Sequence, residues 1–339
     1  MRILFVCKAS TSIGLGHLIR SRSLANQFLE LNPHLDIDFK VVGEALVSRL
    51  LTQVTYPVDI VRQEEEVELK ATYELCFFDM MEGSDAFFKR LKNNALLTIS
   101  LSPIFNQMAK VDILFNRTKY HNLQPEEMPG KIYAGLKYTI IQEDCKKIRT
   151  SIYEDNLDLD QFPVAISMGG GDAANKTLAF LRSLRNCKVP ATFWVMLGEG
   201  YQHSYDDLIK VLKKDSDHEI ILAKTNRSMW QILRNCILAI LPGGITTYEA
   251  AYAGLPTINL LQDPSKQYLI QELIDHKLCV YKGDINEEES LALVNKSIEN
   301  VYYERRELME MHLNTKNLVG RNSAKLIWDL CREGLEEKA

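Results

Sequence analysis

The amino-acid sequence predicts an α/β protein of two domains, each built on a parallel, doubly wound β-sheet. Short apolar runs rich in β-branched residues alternate with segments of helical periodicity, as in strand-helix-strand units. The same alternation starts again after a polar stretch at residues 147–162. A chain of 339 residues, 46% of them hydrophobic, also exceeds what one core usually holds, which favours two domains.

The N-terminal half begins with the apolar run "RILFVC", a Ser/Gly loop and then apolar residues at helical spacing. This order predicts a strand, a loop and a helix. Further strands are predicted at "DIDFKVV", "YPVDIV", "ELCFFDM", "ALLTISL" and "KVDILFN", and a helix at "SDAFFKRLKNN".

The C-terminal half repeats the pattern from Pro163, with "PVAISM", a glycine loop and the helix "KTLAFLRSL". Its later strands are predicted at "ATFWVML", "EIILAK", "CILAIL", "PTINLL" and "LCVYK". We assign residues 1–150 and 151–339 to the two domains, with the last helix a candidate to cross back onto the first. Ligands of such sheets bind beyond the carboxyl ends of the strands, so we expect the glycine loops to face a cleft between the domains.

The composition of the chain indicates what kind of partner it binds and in which cell compartment it works. The net charge of -5 argues against nucleic acid as the main partner and favours a small molecule. The seven cysteines are scattered singly, several inside apolar runs, which predicts reduced core thiols. No apolar segment reaches the roughly 18 residues of a membrane helix, and the first residues lack the features of a signal peptide. These observations predict a cytoplasmic protein without a transmembrane segment.

The first loop, "STSIGLGHLIR", joins a glycine-spaced turn to a histidine directly after the first strand. His17 follows Gly14-x-Gly16, and an imidazole there can act as a base toward water or a hydroxyl. Arg20 lies one helical turn later and is a candidate contact for a ligand anion. The alternative is that His17 only caps or packs the first helix.

The second loop, "SMGGGDAANKTL", places three glycines between a strand and a helix. Backbone amide groups and the positive end of a helix dipole can hold phosphate at such a place. The spacing matches neither common nucleotide-binding glycine motif. A tight strand-to-helix turn is the alternative explanation.

The third loop, "LPGGITTYEAAYAGLP", has the same arrangement, with Gly243 and Gly244, two threonines and then Glu249. The glycine pair lets a ligand approach the backbone, and a carboxylate in the first helical turn can accept hydrogen bonds from ribose hydroxyls. The pattern therefore indicates a nucleoside pocket. Otherwise Glu249 complements the helix dipole and the hydroxyls cap the helix.

These elements resemble the UDP-sugar hydrolase family of pseudaminic acid biosynthesis (PseG) and its relatives in spore-coat and surface polysaccharide synthesis, near MurG in the GT-B fold of two Rossmann-like domains. The resemblance rests on "IGLGHLIR" at 13–20, "YAGLKYTIIQEDC" at 133–145, "ISMGGGDAANKTL" at 166–178, "GGITTYEAAYAGLPTI" at 243–258 and "VGRNSAKLI" at 319–327. It implies that His17 is the catalytic base, that the N-terminal domain receives the sugar or acceptor, and that the C-terminal loops hold UDP.

The sequence departs from that family at several sugar-site positions. Val6 and Lys8 stand where the family has an R-x-D pattern, so an acid has become a cation. Asp79-Met80-Met81 keeps the acid of a D-x-Y element and loses the tyrosine. "SLSP" at 100–103 replaces an Asp-Asp pair, and Lys266-Gln267 keeps only the second residue of an Asn-Gln pair. The nucleotide-site features are better retained than the sugar-site features.

Three functions follow from this pattern. A hydrolase would use His17 to activate water against a UDP-sugar, and a glycosyltransferase would use it on an acceptor hydroxyl. A nucleotide-sugar-binding protein without turnover is the third. No cofactor or metal is expected. The substrate-binding residues are expected to be Gly14, Gly16, Arg20, Gly169, Gly170, Gly171, Asn175, Gly243, Gly244, Thr246, Thr247, Glu249 and Gln267.

Overall fold

The computed structural model describes residues 1–103, 106–213, 218–224, 229–315, 319 and 322–338. Contacts between Cα atoms divide the chain into two units. The first unit comprises residues 1–142 and 320–339, and the second unit comprises residues 143–319.

The sheet of the first unit has seven strands in the order β3-β2-β1-β4-β5-β6-β7, and all neighbouring pairs are parallel. The strands are β1 (Arg2–Ala9), β2 (Asp36–Gly43), β3 (Val58–Val61), β4 (Tyr73–Asp79), β5 (Ala95–Ser100), β6 (Ile113–Asn116) and β7 (Lys131–Ala134). The first six coincide with predicted strands, and β7 was not among the predictions. Strand order reverses between β1 and β4, which we call the first switch point.

The helices that follow these strands early in the chain are α1 (Gly16–Leu31), α2 (Val47–Leu50) and α3 (Asp85–Asn93). Helix α1 packs on one face of the sheet, where the Phe28 ring lies 6.2 Å from Phe5 and 5.5 Å from Phe77. Burying an aromatic side chain of this kind contributes about 1.5–3 kcal/mol. Helix α3 buries Phe87, Phe88 and Leu91 in the core of the opposite face.

The sheet of the second unit has six parallel strands in the order β10-β9-β8-β11-β12-β13. They are β8 (Pro163–Ser167), β9 (Thr192–Leu197), β10 (Glu219–Lys224), β11 (Leu238–Leu241), β12 (Thr257–Leu261) and β13 (Val280–Asp284). Strand order reverses between β8 and β11, the second switch point. The helices are α4 (Thr150–Leu157), α5 (Lys176–Leu184), α6 (Tyr205–Leu212), α7 (Met229–Leu233), α8 (Ile245–Ala253), α9 (Tyr268–Asp275), α10 (Glu288–Tyr303) and α11 (Arg305–Asn314).

The C-terminal helix α12 (Ser323–Glu336) belongs to the first unit. It buries Ala324, Ile327 and Cys331 in the same core as α1, and its Trp328 ring lies 5.2 Å from that of Phe28. Just beyond the helix, Lys338 Nζ forms an ion pair with Asp112 at 2.8 Å. The end of the chain therefore contributes to the core of the unit in which the chain begins.

The predicted fold class is confirmed, because both units are α/β with parallel, doubly wound sheets. All seven cysteines are buried, as predicted for core thiols. No helix within the described residues is long and apolar enough to cross a membrane. In sheets of this topology, ligands bind beyond the carboxyl ends of the strands at the switch point, and site residues are therefore expected at the two switch points.

Candidate functional site

The loop that follows β1 is held in a tight turn. Gly14 has a φ of +93° and pairs with Ser10 in an isolated bridge, its amide donating to the Ser10 carbonyl at 2.9 Å. A φ in this range favours glycine because it has no Cβ. The amide of Ile13 donates to Ser10 Oγ at 3.0 Å, and the Thr11 amide and hydroxyl donate to the Glu44 carboxylate at 3.3 Å. The turn starts α1 at Gly16, the predicted second glycine, and places His17 in its first turn.

His17 lies at the first switch point and contacts an acid from the neighbouring strand. Its Nδ1 atom is 2.6 Å from Oδ1 of Asp79, the last residue of β4. The Asp79 side chain is fully buried, whereas 14% of the His17 side chain is exposed. The histidine thus reaches solvent on one side and a buried carboxylate on the other.

Arg20, a candidate contact for a ligand anion, is bound to Asp79 in the structure, and its contact with a ligand stays a prediction. Its Nε donates to Asp79 Oδ2 at 2.7 Å and its Nη2 donates to Oδ1. The Arg20 side chain is 6% exposed. The anion that Arg20 contacts in the structure is therefore internal, and the physical reason is the strand order, which brings β4 beside β1.

The ionisation of Asp79 fixes the hydrogen on His17. Burial alone would raise the pKa of the Asp79 carboxyl, but the charges of Arg20 and His17 and their hydrogen bonds outweigh burial and hold this pKa well below its usual range. An ionised carboxylate only accepts hydrogen bonds. The Nδ1 atom of His17 therefore carries the hydrogen and donates it to Asp79. In the neutral imidazole, Nε2 is left as the proton acceptor.

Two serines complete the shell of Asp79. Ser102 Oγ donates to Oδ1 at 3.1 Å, and Ser21 Oγ lies 3.5 Å from Oδ2. Ser102 belongs to the segment "SLSP" at 100–103 that follows β5, so a hydroxyl donor faces Asp79 there. Asp79 was noted in the sequence only as a remnant of a motif, although an acid at the carboxyl end of the strand next to β1 is a readable signal for a partner of His17.

Lys8 is also paired within the first unit. Its Nζ lies 2.8 Å from Oε1 of Glu64, and both side chains are largely buried. Burial on its own would raise the pKa of the Glu64 carboxyl, but hydrogen bonds from Lys8 and Ser84 and the charge of Lys8 hold it below its usual value. Lys8 is therefore paired with a counter-ion of the same unit.

At the second switch point, the glycine loop after β8 includes an acid, Asp172, that binds the N-terminus of the following helix. Gly169 has a φ of +94°, and Asp172 accepts hydrogen bonds from the amides of Lys176 at 2.7 Å and Thr177 at 2.9 Å. These are the first amides of α5, where we expected a phosphate. The Asp172 carboxylate therefore holds two amides at the N-terminus of this helix, and phosphate binding by the glycine loop stays a prediction.

The remaining predicted residues of this loop contact the loop after β9. Gly170 accepts a hydrogen bond from the Gly200 amide at 2.9 Å, and a Cβ on Gly198 would lie 2.4 Å from the Gly170 oxygen. Gly171 is buried beside them. Asn175, the residue before α5, accepts from the Tyr201 hydroxyl at 3.0 Å. The loop is thus packed tightly against its neighbour.

The loop after β11 leaves the N-terminus of α8 uncapped. Gly243 has a φ of +73°, and a Cβ there would lie 2.3 Å from the Leu261 side chain, so the turn requires glycine. Gly244 precedes the helix, and the place where its Cβ would stand is open. Within the described residues, no side chain caps α8 and no acid lies in its first turn. Such a helix end carries a partial positive charge.

The other predicted residues of α8 are mostly internal. The Thr247 hydroxyl donates to Asn259 Oδ1 at 2.8 Å inside the core, whereas Thr246 is partly exposed. Glu249 is the fifth residue of α8 and is 1% exposed. Our expectation of a carboxylate in the first turn is wrong, because the helix begins only after Gly244. A ribose contact by Glu249 stays a prediction.

Two further predictions concern later segments. Gln267 ends a short 3-10 turn after β12 and donates from Nε2 to Gln271 at 3.0 Å. The motif at 319–327 includes residues 320–321, which lie outside the described residues, and the rest of it starts α12. Among the residues that the structure describes, no group of three His, Cys, Asp or Glu side chains could hold a metal ion.

Comparison with known proteins identifies the fold. No protein-family model matches the sequence. An uncharacterised protein of Methanocaldococcus jannaschii is 23% identical over 276 residues, or 78% of this chain, and this chain spans about half of that protein's length (56%). MurG of Acinetobacter baumannii superposes with a TM-score of 0.65 at 13% identity, covering 98% of this chain and 100% of MurG. The structure of Anabaena HepE in complex with UDP-glucose superposes with a TM-score of 0.62 at 14% identity, covering 99% of this chain and 100% of HepE. The chain therefore has the GT-B fold, with two Rossmann-like units.

Proposed function

We propose that this protein is an enzyme that acts on a nucleotide sugar, most simply a UDP-sugar, and releases the sugar by hydrolysis with His17 as the base. The observation that carries the proposal is the pair of His17 and Asp79 at the first switch point, with Nδ1 bound to the carboxylate. A carboxylate that orients a histidine in this way is a recurring device of general base catalysis. The PseG-like motif around His17 supports the same role.

The second unit is proposed to hold the diphosphate at the N-terminus of α8. The end of this helix is uncapped, and the position beside Gly244 is open, so a phosphate could approach the backbone amide groups. HepE, which has the same fold, is described in complex with UDP-glucose. The diphosphate is expected at α8 rather than at α5, whose amide groups already bind Asp172.

In the proposed reaction, the oxygen of a water molecule attacks the anomeric carbon or the phosphorus of the sugar-nucleotide link. The proton of the water passes to Nε2 of His17. Attack at the anomeric carbon breaks its bond to the phosphate oxygen and releases UDP. Attack at the phosphorus breaks its bond to the sugar oxygen, and that oxygen takes the proton back from Nε2 as the free sugar leaves. While Nε2 holds the proton, Asp79 lies against an imidazolium and stabilises it. The N-terminus of α8 offsets the negative charge that develops on the leaving UDP. Atoms and charge balance without a further reactant.

A glycosyltransferase is the second candidate, and the altered sugar-site residues favour it. Lys8 with Glu64, and Ser102 at Asp79, stand where the hydrolase family has other groups. An acceptor hydroxyl could then take the place of water, with His17 receiving its proton. Either reaction would serve the synthesis of a surface polysaccharide or a nonulosonic acid.

The two reactions are separated by incubating the protein with UDP-sugars and no acceptor. Formation of free sugar and UDP in equal amounts supports the hydrolase. UDP release that appears only when an acceptor alcohol is added supports the transferase. Tight binding of a UDP-sugar with no product under either condition would contradict both and leave a binding protein.

A further inference from the structure

We propose that Arg20 is a positioning residue: because it shares Asp79 with His17, its charge opposes protonation of the imidazole and leaves Nε2 as the proton acceptor toward the substrate. The inference rests on the proposed role of His17 as a base, and it assigns Arg20 a task other than ligand binding. It follows from the way three side chains share one carboxylate.

The geometry places a nitrogen donor of His17 and one of Arg20 on the same oxygen of Asp79. Oδ1 of Asp79 accepts from Nδ1 of His17 and from Nη2 of Arg20, and these two nitrogen atoms are 3.3 Å apart. Nε of Arg20 holds the other oxygen at 2.7 Å. Asp79 and Arg20 are buried, so water screens these charges little.

The charges of Asp79 and Arg20 then determine whether the His17 imidazole favours its protonated or its neutral form. A histidine beside an isolated buried carboxylate is drawn toward the imidazolium form. Here Arg20 already neutralises Asp79, and a proton on Nε2 would set two cations against one anion. Arg20 therefore favours the neutral imidazole, while the bond from Nδ1 to Asp79 keeps Nε2 as the proton acceptor.

The other groups around His17 do not replace this effect. Cys7, the register partner of Asp79 on β1, is a buried thiol whose pKa is raised by burial, so it stays neutral. The loop after β5 contributes the hydroxyl of Ser102. At the end of β1, Lys8 is paired with Glu64, and no hydrogen bond or ion pair joins His17 to α12 within the described residues. Glu44, after β2, holds the backbone and hydroxyl of Thr11.

A purely structural role is the competing account of Arg20. Removing one partner of a buried ion pair destabilises the fold, because the charge that remains is buried without a partner. Both accounts expect Arg20 to matter for folding. Only the positioning account expects the charge of Arg20 to set the pH at which His17 titrates.

The test is an NMR titration of the His17 ring in the full chain, with the signal assigned by its loss in His17→Asn. Arg20→Gln removes the cation and should raise the titration midpoint by about one pH unit or more. Arg20→Lys keeps the cation and should stay closer to the wild-type midpoint. The acid limb of the pH profile of kcat/KM should move upward in parallel in Arg20→Gln. An unchanged midpoint in folded Arg20→Gln would overturn the inference.

A second pair of variants covers the case in which Arg20→Gln does not fold. Asp79→Asn and the double variant Asp79→Asn with Arg20→Gln differ only in the cation, and the double variant has no buried charge without a partner. The His17 ring should titrate at a higher pH in the double variant than in Asp79→Asn. Equal midpoints would refute a role for the charge of Arg20.

The titration does not depend on turnover, so the two proposals fail separately. Full activity of folded His17→Asn would remove the proposed base and leave the titration result standing. Loss of activity in His17→Asn together with an unchanged midpoint in Arg20→Gln would remove only the present inference.

Discussion

The first and second switch points have the same topology but are filled by different chemistry. At the first, the side chains of His17, Arg20 and Asp79 bind one another, and the imidazole is the group that reaches solvent. At the second, the loop before α5 contains three successive glycines and the loop before α8 contains two. Charged side chains in a buried network suit proton transfer, whereas an uncapped helix end suits anion binding. Similar architecture therefore does not imply a similar task.

A smaller contrast within the second unit makes the same point. Helices α5 and α8 both follow a glycine loop at the carboxyl end of a strand. The first amides of α5 bind the Asp172 carboxylate. The residue before α8 is Gly244, and within the described residues no side chain caps this helix. One carboxylate thus distinguishes a closed helix end from one that can receive a ligand.

The largest effect is expected from Asp79→Asn, which breaks the network of the first switch point. The amide cannot stabilise an imidazolium and can favour the wrong tautomer, so turnover should fall by about 10²–10⁴-fold. The affinity for UDP, measured by calorimetry, should stay near normal. Ser102→Ala, which removes one neutral donor from the same carboxylate, is the matched control and should lose far less turnover. Equal losses in both variants would contradict the assigned role of Asp79.

An intermediate effect is expected from Gly244→Asp, which gives α8 the carboxylate that α5 already has. Gly244 has extended backbone dihedrals and open space at the Cβ position, so the substitution should be tolerated. The new charge should weaken UDP binding by about tenfold or more, since like charges at a binding site cost about 1.4 kcal/mol or more. Gly244→Ser, a neutral cap, should weaken binding much less. Unchanged affinity in the aspartate variant would place the diphosphate elsewhere.

The smallest effect is expected from Asp172→Ala, which opens the end of α5. Loss of the cap should lower the free energy of unfolding by about 0.5–2 kcal/mol. UDP affinity should be unchanged, because the nucleotide is assigned to α8. Asp172→Asn is the control, since asparagine tolerates the φ of +43° at this position. A marked loss of UDP affinity in folded Asp172→Ala would argue that this loop contacts the nucleotide.

The strands were predictable because most are short apolar runs buried on both faces, as β8 and β11 show. Strand β7 was missed because "KIYA" is short, begins with a lysine and is only partly buried. Pairing of Arg20 with Asp79 was not predicted, because the residues are 59 positions apart and meet only through the order of the strands. The role of Asp172 was not predicted, because it lies four residues before the start of α5 and the N-cap position itself is Asn175.

The most direct test of the division between the two units measures turnover of a UDP-sugar and affinity for UDP on one preparation of His17→Asn. The account predicts turnover about 10²–10⁴-fold below wild type, with UDP affinity and melting temperature near normal. If His17 only caps or packs α1, stability should fall by about 0.5–2 kcal/mol while turnover of the folded protein stays close to normal. A stable variant with full activity would contradict the account.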